Sequence, residues 1–324
     1  MRNGHEAEQR MTTDARFPGQ DAVAHNGICA PTALTICLST WNKDTRKLIT
    51  ALSRQQDADK CALIILDNGS NDPRLTAQIS EHIQSFPGPA KLFQSKWRLS
   101  TSNARRRMAE LAESDWMLML NANVSPDSNA FLARYLSVAN ARQKPALYAG
   151  GHSLKYAPKM QATDLHAAHA AQSEYLPADK RVEKPGPNVF ATNILVHRRI
   201  IESVNVASDT GDWGWDYVDW GLSVSRKFRV EHIDNTVSDL DLSDVDELIR
   251  RYTNSGESYA RAASQHRLLR QRRLFRAAKA ISYLPFSRKI ESLAADVVRN
   301  ERMPLNLRLF GLRVFRAAAY AEYL

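Results

Sequence analysis

CALIILDNGSND, Cys61 to Asp72, runs six apolar residues straight into a turn. A run this short, closed by Asp-Asn-Gly, reads as a strand buried on both faces rather than as a helix. LTICLS (Leu34 to Ser39), AKLFQ (Ala90 to Gln94) and WMLML (Trp116 to Leu120) have the same character. The stretches between them, KDTRKLITALSRQQ, PRLTAQISEHIQSF and SNARRRMAELAES, are each long enough for about three helical turns. Strands alternating with helices predict an α/β fold, a Rossmann-like and mostly parallel sheet flanked by helices.

Ligands in such sheets bind outside the carboxyl ends of the strands. The residues there are Thr40-Trp41-Asn42 after the first strand, Asp67 to Asp72 after the second and Asn121-Ala122-Asn123 after the fourth. No Gly-x-Gly-x-x-Gly follows the first strand and no Gly-Lys-Ser/Thr occurs, which disfavours a dinucleotide fingerprint and a P-loop. A carboxylate at the end of a strand, such as Asp67, can accept hydrogen bonds from a base or ribose while Gly69 lets the ligand approach the backbone. It can equally close an ordinary Asx turn, and both readings stay open.

The chain has 324 residues, 44% of them hydrophobic, enough for a sizeable core. Lys plus Arg number 44 against 35 Asp plus Glu, a net charge of +9 that favours an anionic partner: a nucleotide diphosphate, nucleic acid or acidic lipid. Cys29, Cys37 and Cys61 form no spaced framework and read as reduced thiols. No run approaches the ~20 apolar residues of a membrane span and the N-terminus lacks a signal-peptide core, so a cytoplasmic protein is expected.

Residues 1–32 are polar and aperiodic and read as a flexible leader. Residues 33–247 carry the α/β pattern, and 248–324 form a basic helical region. From Arg261 to Lys289 there are nine basic residues and no acid, with Leu268, Leu269, Phe275, Ile281, Leu284 and Phe286 between them. Such a region can lie peripherally on the inner, anionic face of a cell membrane, or be a solvated surface helix. Too few aromatics are interleaved for nucleic-acid stacking.

Further along, PALYAGG and FRVEHI read as strands and PNVFATNILVHRR (Pro187 to Arg199) as an extended segment, while the polar residues 151–187 are expected to cover the site. GDWGWDYVDWGLS, Gly211 to Ser223, crowds three tryptophans with three carboxylates. A helix from Trp215 to Ser225 would put Asp216 and Asp219 at i and i+3, beside an apolar stripe of Trp215, Val218 and Leu222. A carboxylate at that helix start could deprotonate a hydroxyl. Tryptophans at this spacing could equally be core.

In this order, TWN, LDNGSND, ARRRMAELAESDWMLMLNANVSP, FATNILVHRRI, GDWGWDYVDWGLS and VEHIDNTVSD resemble the family 2 glycosyltransferases of the GT-A fold, over residues 34 to about 240. GDWGWDYVDWGLS is similar to the Gly-Trp-Gly-Trp-Glu-Asp-x-Asp pattern of galactosyltransferase-like members. The resemblance implies inverting transfer from a nucleotide-diphosphate sugar, with Mn²⁺ or Mg²⁺, to a glycan or lipid-linked acceptor hydroxyl. It assigns Thr40, Asn42, Asp67, Gly69, Ser70, Arg105 and Asn121 to the nucleotide sugar, and Asn193, Trp213, Trp215 and Trp220 to the acceptor or sugar. Asn123, with His232 or Asp239, would face the metal, and Asp216, supported by Asp219, would be the base.

Three positions depart from the family pattern. Asn-Ala-Asn replaces Asp-x-Asp, Tyr217 stands at the usual base position, and Asp239 takes the place of a late histidine. Acidity redistributed to Asp239 and Asp216 is the reading for an active enzyme; the alternative is a non-catalytic nucleotide-sugar-binding partner of another transferase.

Overall fold

The computed structural model describes residues 22–190, 192–204 and 215–324. Eight strands form the main sheet in the order β1-β4-β3-β2-β5-β9-β7-β10. They are β1 (Ala24–His25), β2 (Leu34–Thr40), β3 (Cys61–Asp67), β4 (Ala90–Gln94), β5 (Trp116–Asn121), β7 (Ala146–Ala149), β9 (Asn193–His197) and β10 (Arg229–His232). Neighbours from β4 through β5 are parallel, as are β7 and β10. β9 lies antiparallel between β5 and β7.

Alternate residues of the central strands feed two cores. Leu34, Ile36, Leu38, Leu63, Ile65, Leu118 and Leu120 pack on one face, and Cys37, Ile64, Leu66, Met117 and Met119 on the other. Burying both faces is why these strands read as unbroken apolar runs. Each fully buried Leu or Ile contributes about 1.5–3 kcal/mol of transfer free energy. The flanking helices start where their caps dictate: Asp72 accepts from Arg74 N with Pro73 at the first helical position, and Ser100 accepts from Asn103 N.

Part of the segment read as a leader, residues 1–32, is paired in the sheet. Ala24–His25 pairs antiparallel with β4, and the Asn26 amide donates to the Phe86 and Gly88 carbonyls at 3.0 and 2.8 Å. Backbone pairing at a sheet edge needs no apolar side chains, so composition gave no sign of it.

A second sheet has the order β6-β11-β8, from β6 (Val124–Pro126), β11 (Val237–Asp239) and β8 (His152–Ser153). It gathers segments that follow β5, β7 and β10 above the carboxyl ends of the main strands. The basic C-terminal region is helical from Val245 to Ala321, in six helices. They close a third core with the helix Asp216–Ser225, through Trp215, Leu222, Leu248, Tyr252, Tyr259, Leu312, Phe315 and Tyr320. The Asp216–Ser225 helix is thus clamped on two sides, since Trp220 and Val224 belong to the second sheet core.

Candidate active site

From β2 the chain runs outward through β3 and β4, then crosses back to β5 on the other side. The crevice between β2 and β5 is therefore the switch point where an open α/β sheet binds ligands. Ser39 pairs with Asn121 there, so the segments carrying Lys43 and Asn123 emerge side by side. A cavity of about 1170 Å³ opens above them. Asn121, Asn123, His152, Tyr175, Asp216, Asp239 and Asp241 line it, and the C-terminal helices supply its far wall.

At the crevice, Lys43 Nζ donates to Asp241 Oδ2 at 2.6 Å and Asn123 Nδ2 reaches the same oxygen at 3.4 Å. Tyr175 Oη donates to Asp239 Oδ2 at 2.8 Å, and the Asp241 amide to Asp239 Oδ1 at 3.0 Å. The Lys43 ion pair holds the Asp241 carboxyl below its ordinary range against the opposing effect of burial, which is the larger single influence. His152 stacks on Tyr175 with centroids 5.6 Å apart and bonds Thr192 Oγ1 through Nε2. Burial pushes His152 down to about 4, so the ring is neutral at pH 7.

Asp216 stands half-buried at the start of its helix and opens into the cavity. Behind it, Arg105 is buried with its guanidinium 4.7 Å from the Trp220 ring and 5.0 Å from that of Tyr217. Burial lowers the Arg105 pKa while Tyr217 and Asp216 oppose the shift.

Other residues expected at the site are committed elsewhere. Asp67 is buried and closes the Asx turn, accepting from Ser70 N at 2.9 Å and Thr76 Oγ1 at 2.6 Å. Thr40 Oγ1 donates to the Lys43 carbonyl, and Asn42 and Ser70 tie the two loops together through Asn42 N to Ser70 Oγ at 2.9 Å. Gly69 adopts φ +78°, and a Cβ there would come within 2.9 Å of the Trp97 and Arg98 backbone, so its role is close packing of that loop.

Asn193 is wholly buried: it accepts from Tyr135 Oη and donates to the Gly151 and Asn235 carbonyls, leaving nothing for an acceptor sugar. Trp220 is core, its indole N–H donating to the Val204 carbonyl. Asp219 does not share the face of Asp216. It is buried against His266, whose Nε2 lies 2.5 Å from its Oδ1, while Arg226 donates to the other ring nitrogen. Trp215 borders the cavity, but its ring packs on Tyr259 and its N–H donates to Tyr320 Oη at 3.1 Å. Trp213 lies outside the described residues.

His232 has no lone pair to offer a metal. Arg181, always a donor, gives a hydrogen bond to His232 Nδ1 at 2.9 Å, so Nε2 carries the proton and donates to the Pro185 carbonyl. Burial pushes His232 down to about 4. Among the described residues no three His, Cys, Asp or Glu side chains cluster as an all-protein metal cage. A hard divalent ion that binds with a diphosphate needs only one or two carboxylates, and Asp239 and Asp241 beside the Asn123 amide meet that requirement.

The glycosyl transferase family 2 profile matches residues 35–201, just over half of the chain. The chain belongs to glycosyl transferase family 2. The solved structure of the mannosyltransferase PcManGT from Pyrobaculum calidifontis, in complex with GDP-Man and Mn²⁺, is similar to this family 2 protein with a TM-score of 0.55 and 14% identity, over 93% of this chain and 89% of that one. That likeness establishes the GT-A fold. S. aureus TarS matches at a TM-score of 0.46 and 12% identity, over 83% of this chain and 44% of its own. No curated protein matches.

Lys43, Asp241, His152 and Tyr175 were not singled out for this site from the sequence of this glycosyltransferase. Asp241 had a local signal, a second carboxylate two residues beyond Asp239. Lys43 and Tyr175 had none, because what brings them to the cavity is contact with residues 198 and 64 positions away.

Proposed function

We propose that this family 2 glycosyltransferase moves a sugar, with inversion, from a nucleotide-diphosphate donor to a hydroxyl of a glycan or lipid-linked acceptor. The observation that carries the reading is one cavity that holds a half-buried carboxylate, Asp216, together with the Lys43–Asp241–Asp239–Asn123 cluster at the sheet switch point. The acceptor oxygen forms its bond to the anomeric carbon as that carbon's bond to the diphosphate oxygen breaks. Asp216 takes the hydroxyl proton, and Lys43 meets the charge that develops on the leaving group.

Asp239, Asp241 and Asn123 would hold Mn²⁺ or Mg²⁺. The bound ion supplies further positive charge to the departing diphosphate. Titration with a nucleoside diphosphate is expected to show about tenfold or greater weakening on metal chelation or in Asp239→Asn. Equal affinity with and without metal would remove these residues from a metal-binding role.

The neutral amides of Asn121 and Asn123 favour a second reading, a nucleotide-sugar-binding protein without turnover. Tight donor binding and no product across an acceptor panel separates it from the first.

No helix of the described residues is long and apolar enough to cross a membrane. Peripheral contact fits the C-terminal helices, where Tyr283, Leu284, Phe286, Leu293, Leu307 and Phe310 are exposed among Arg288, Lys289, Arg302 and Arg313. Apolar side chains with basic flanks suit an anionic bilayer. Co-sedimentation with phosphatidylglycerol vesicles should fall on Phe286→Ser/Phe310→Ser substitution, and no binding to such vesicles would refute the contact.

A further inference from the structure

The far wall of the cavity belongs to the C-terminal helices, and its chemistry differs from that of the crevice. Tyr259, Arg272, Arg273 and Arg276 line it. Tyr259 is 1% exposed, and its hydroxyl has no hydrogen-bond partner. A buried donor without an acceptor is costly and uncommon. The ring cannot easily turn to find one, because it lies 4.7 Å from Trp215 on one side and stacks on Tyr320 at 4.7 Å on the other. Burial raises the phenol's pKa, which keeps its proton available for donation.

Beside this hydroxyl, burial lowers the Arg272 pKa, and the groups whose charge acts on it are Tyr259 and another cation, Arg316. No acid of the described residues neutralises it. Arg272 is also the cap residue of the helix Arg273–Ser282, whose first turn has no acid and no side-chain cap. Arginines at the positive end of a helix, above unpaired backbone N–H groups, are unfavourable unless an anion joins them.

We infer that Tyr259, Arg272, Arg273 and Arg276 form a subsite for a phosphate ester carried by the acceptor. Three guanidinium groups and a buried hydroxyl line one wall of the cavity, a donor set that suits a group with three or more acceptor oxygens. Asp216 lines the same cavity, on the helix clamped between the sheet core and the helical core. The word acceptor rests on the transferase reading; the anion site does not, and it is tested without turnover.

The test is calorimetric titration of the full chain with inorganic phosphate. Saturable binding is expected, weakened about tenfold by Tyr259→Phe and by Arg272→Gln. Tyr259→Phe should also leave the melting temperature in place, because the deleted hydroxyl bonds nothing. The absence of saturable binding, or binding that Lys43→Met abolishes and Tyr259→Phe leaves intact, would overturn the site. Repeating the titration with glycerol phosphate and with phosphatidylglycerol vesicles distinguishes a soluble carrier from a lipid one. Sensitivity of either to Tyr259→Phe supports the inference, and insensitivity of both contradicts it.

Discussion

Asp216→Asn is expected to lower kcat by roughly 10²–10⁴-fold while leaving nucleoside diphosphate affinity unchanged. Asparagine preserves the volume and much of the hydrogen bonding but has no basic oxygen to receive the acceptor proton. The affinity should hold because the cluster proposed to face the phosphates, Lys43, Asn123, Asp239 and Asp241, sits on other elements. Asp219→Asn is the informative contrast. Its carboxylate faces His266 inside the protein, so its loss should lower stability and change turnover far less. A pair of variants with these effects reversed would move the base to Asp219.

Arg181→Met carries the second large effect, on stability. The Arg181 side chain is 1% exposed. It donates to the carbonyls of Ala149, Gly150, Leu176 and Ile233 and to His232. Gly151 is part of the same fit: it adopts φ +85°, and a Cβ there would stand 2.6 Å from Arg181 Nη2. Methionine would strand these acceptors in a dry interior, which costs on the order of 3–5 kcal/mol. Thermal unfolding should show a fall on the order of 10 °C. Lysine is not expected to rescue it, because one ammonium cannot reproduce the guanidinium fork. An unchanged melting temperature would mean that solvent or neighbouring donors satisfy these carbonyls.

The four central strands were legible because burial on both faces leaves an uninterrupted apolar run between turn residues. β6, β8 and β11 are two or three residues long, below the length at which periodicity carries information. β9 read as extended, but its antiparallel insertion between β5 and β7 is decided by partners that no local pattern names. Residues 151–187 read as a polar cover, whereas Asp164–Ser173 and Ala178–Arg181 are helices.

The site was legible in the same uneven way. Asp216 stands at the start of the expected helix and lines the cavity, but helical spacing also paired it with Asp219. That pairing fails because the helix is buried on two sides and His266, 47 residues on, captures the second acid. Asp67 and Asn193 have the right residue types for ligand contact, and only the fold reveals that Thr76 and Tyr135 already occupy them.

The most direct test incubates the protein with a panel of nucleotide sugars, Mn²⁺ or Mg²⁺, and phosphorylated and neutral acceptors, following nucleoside diphosphate release and the anomeric configuration of the product. The account predicts acceptor-dependent release and an inverted product. Donor binding without release across the panel, or a product that retains configuration, would contradict it.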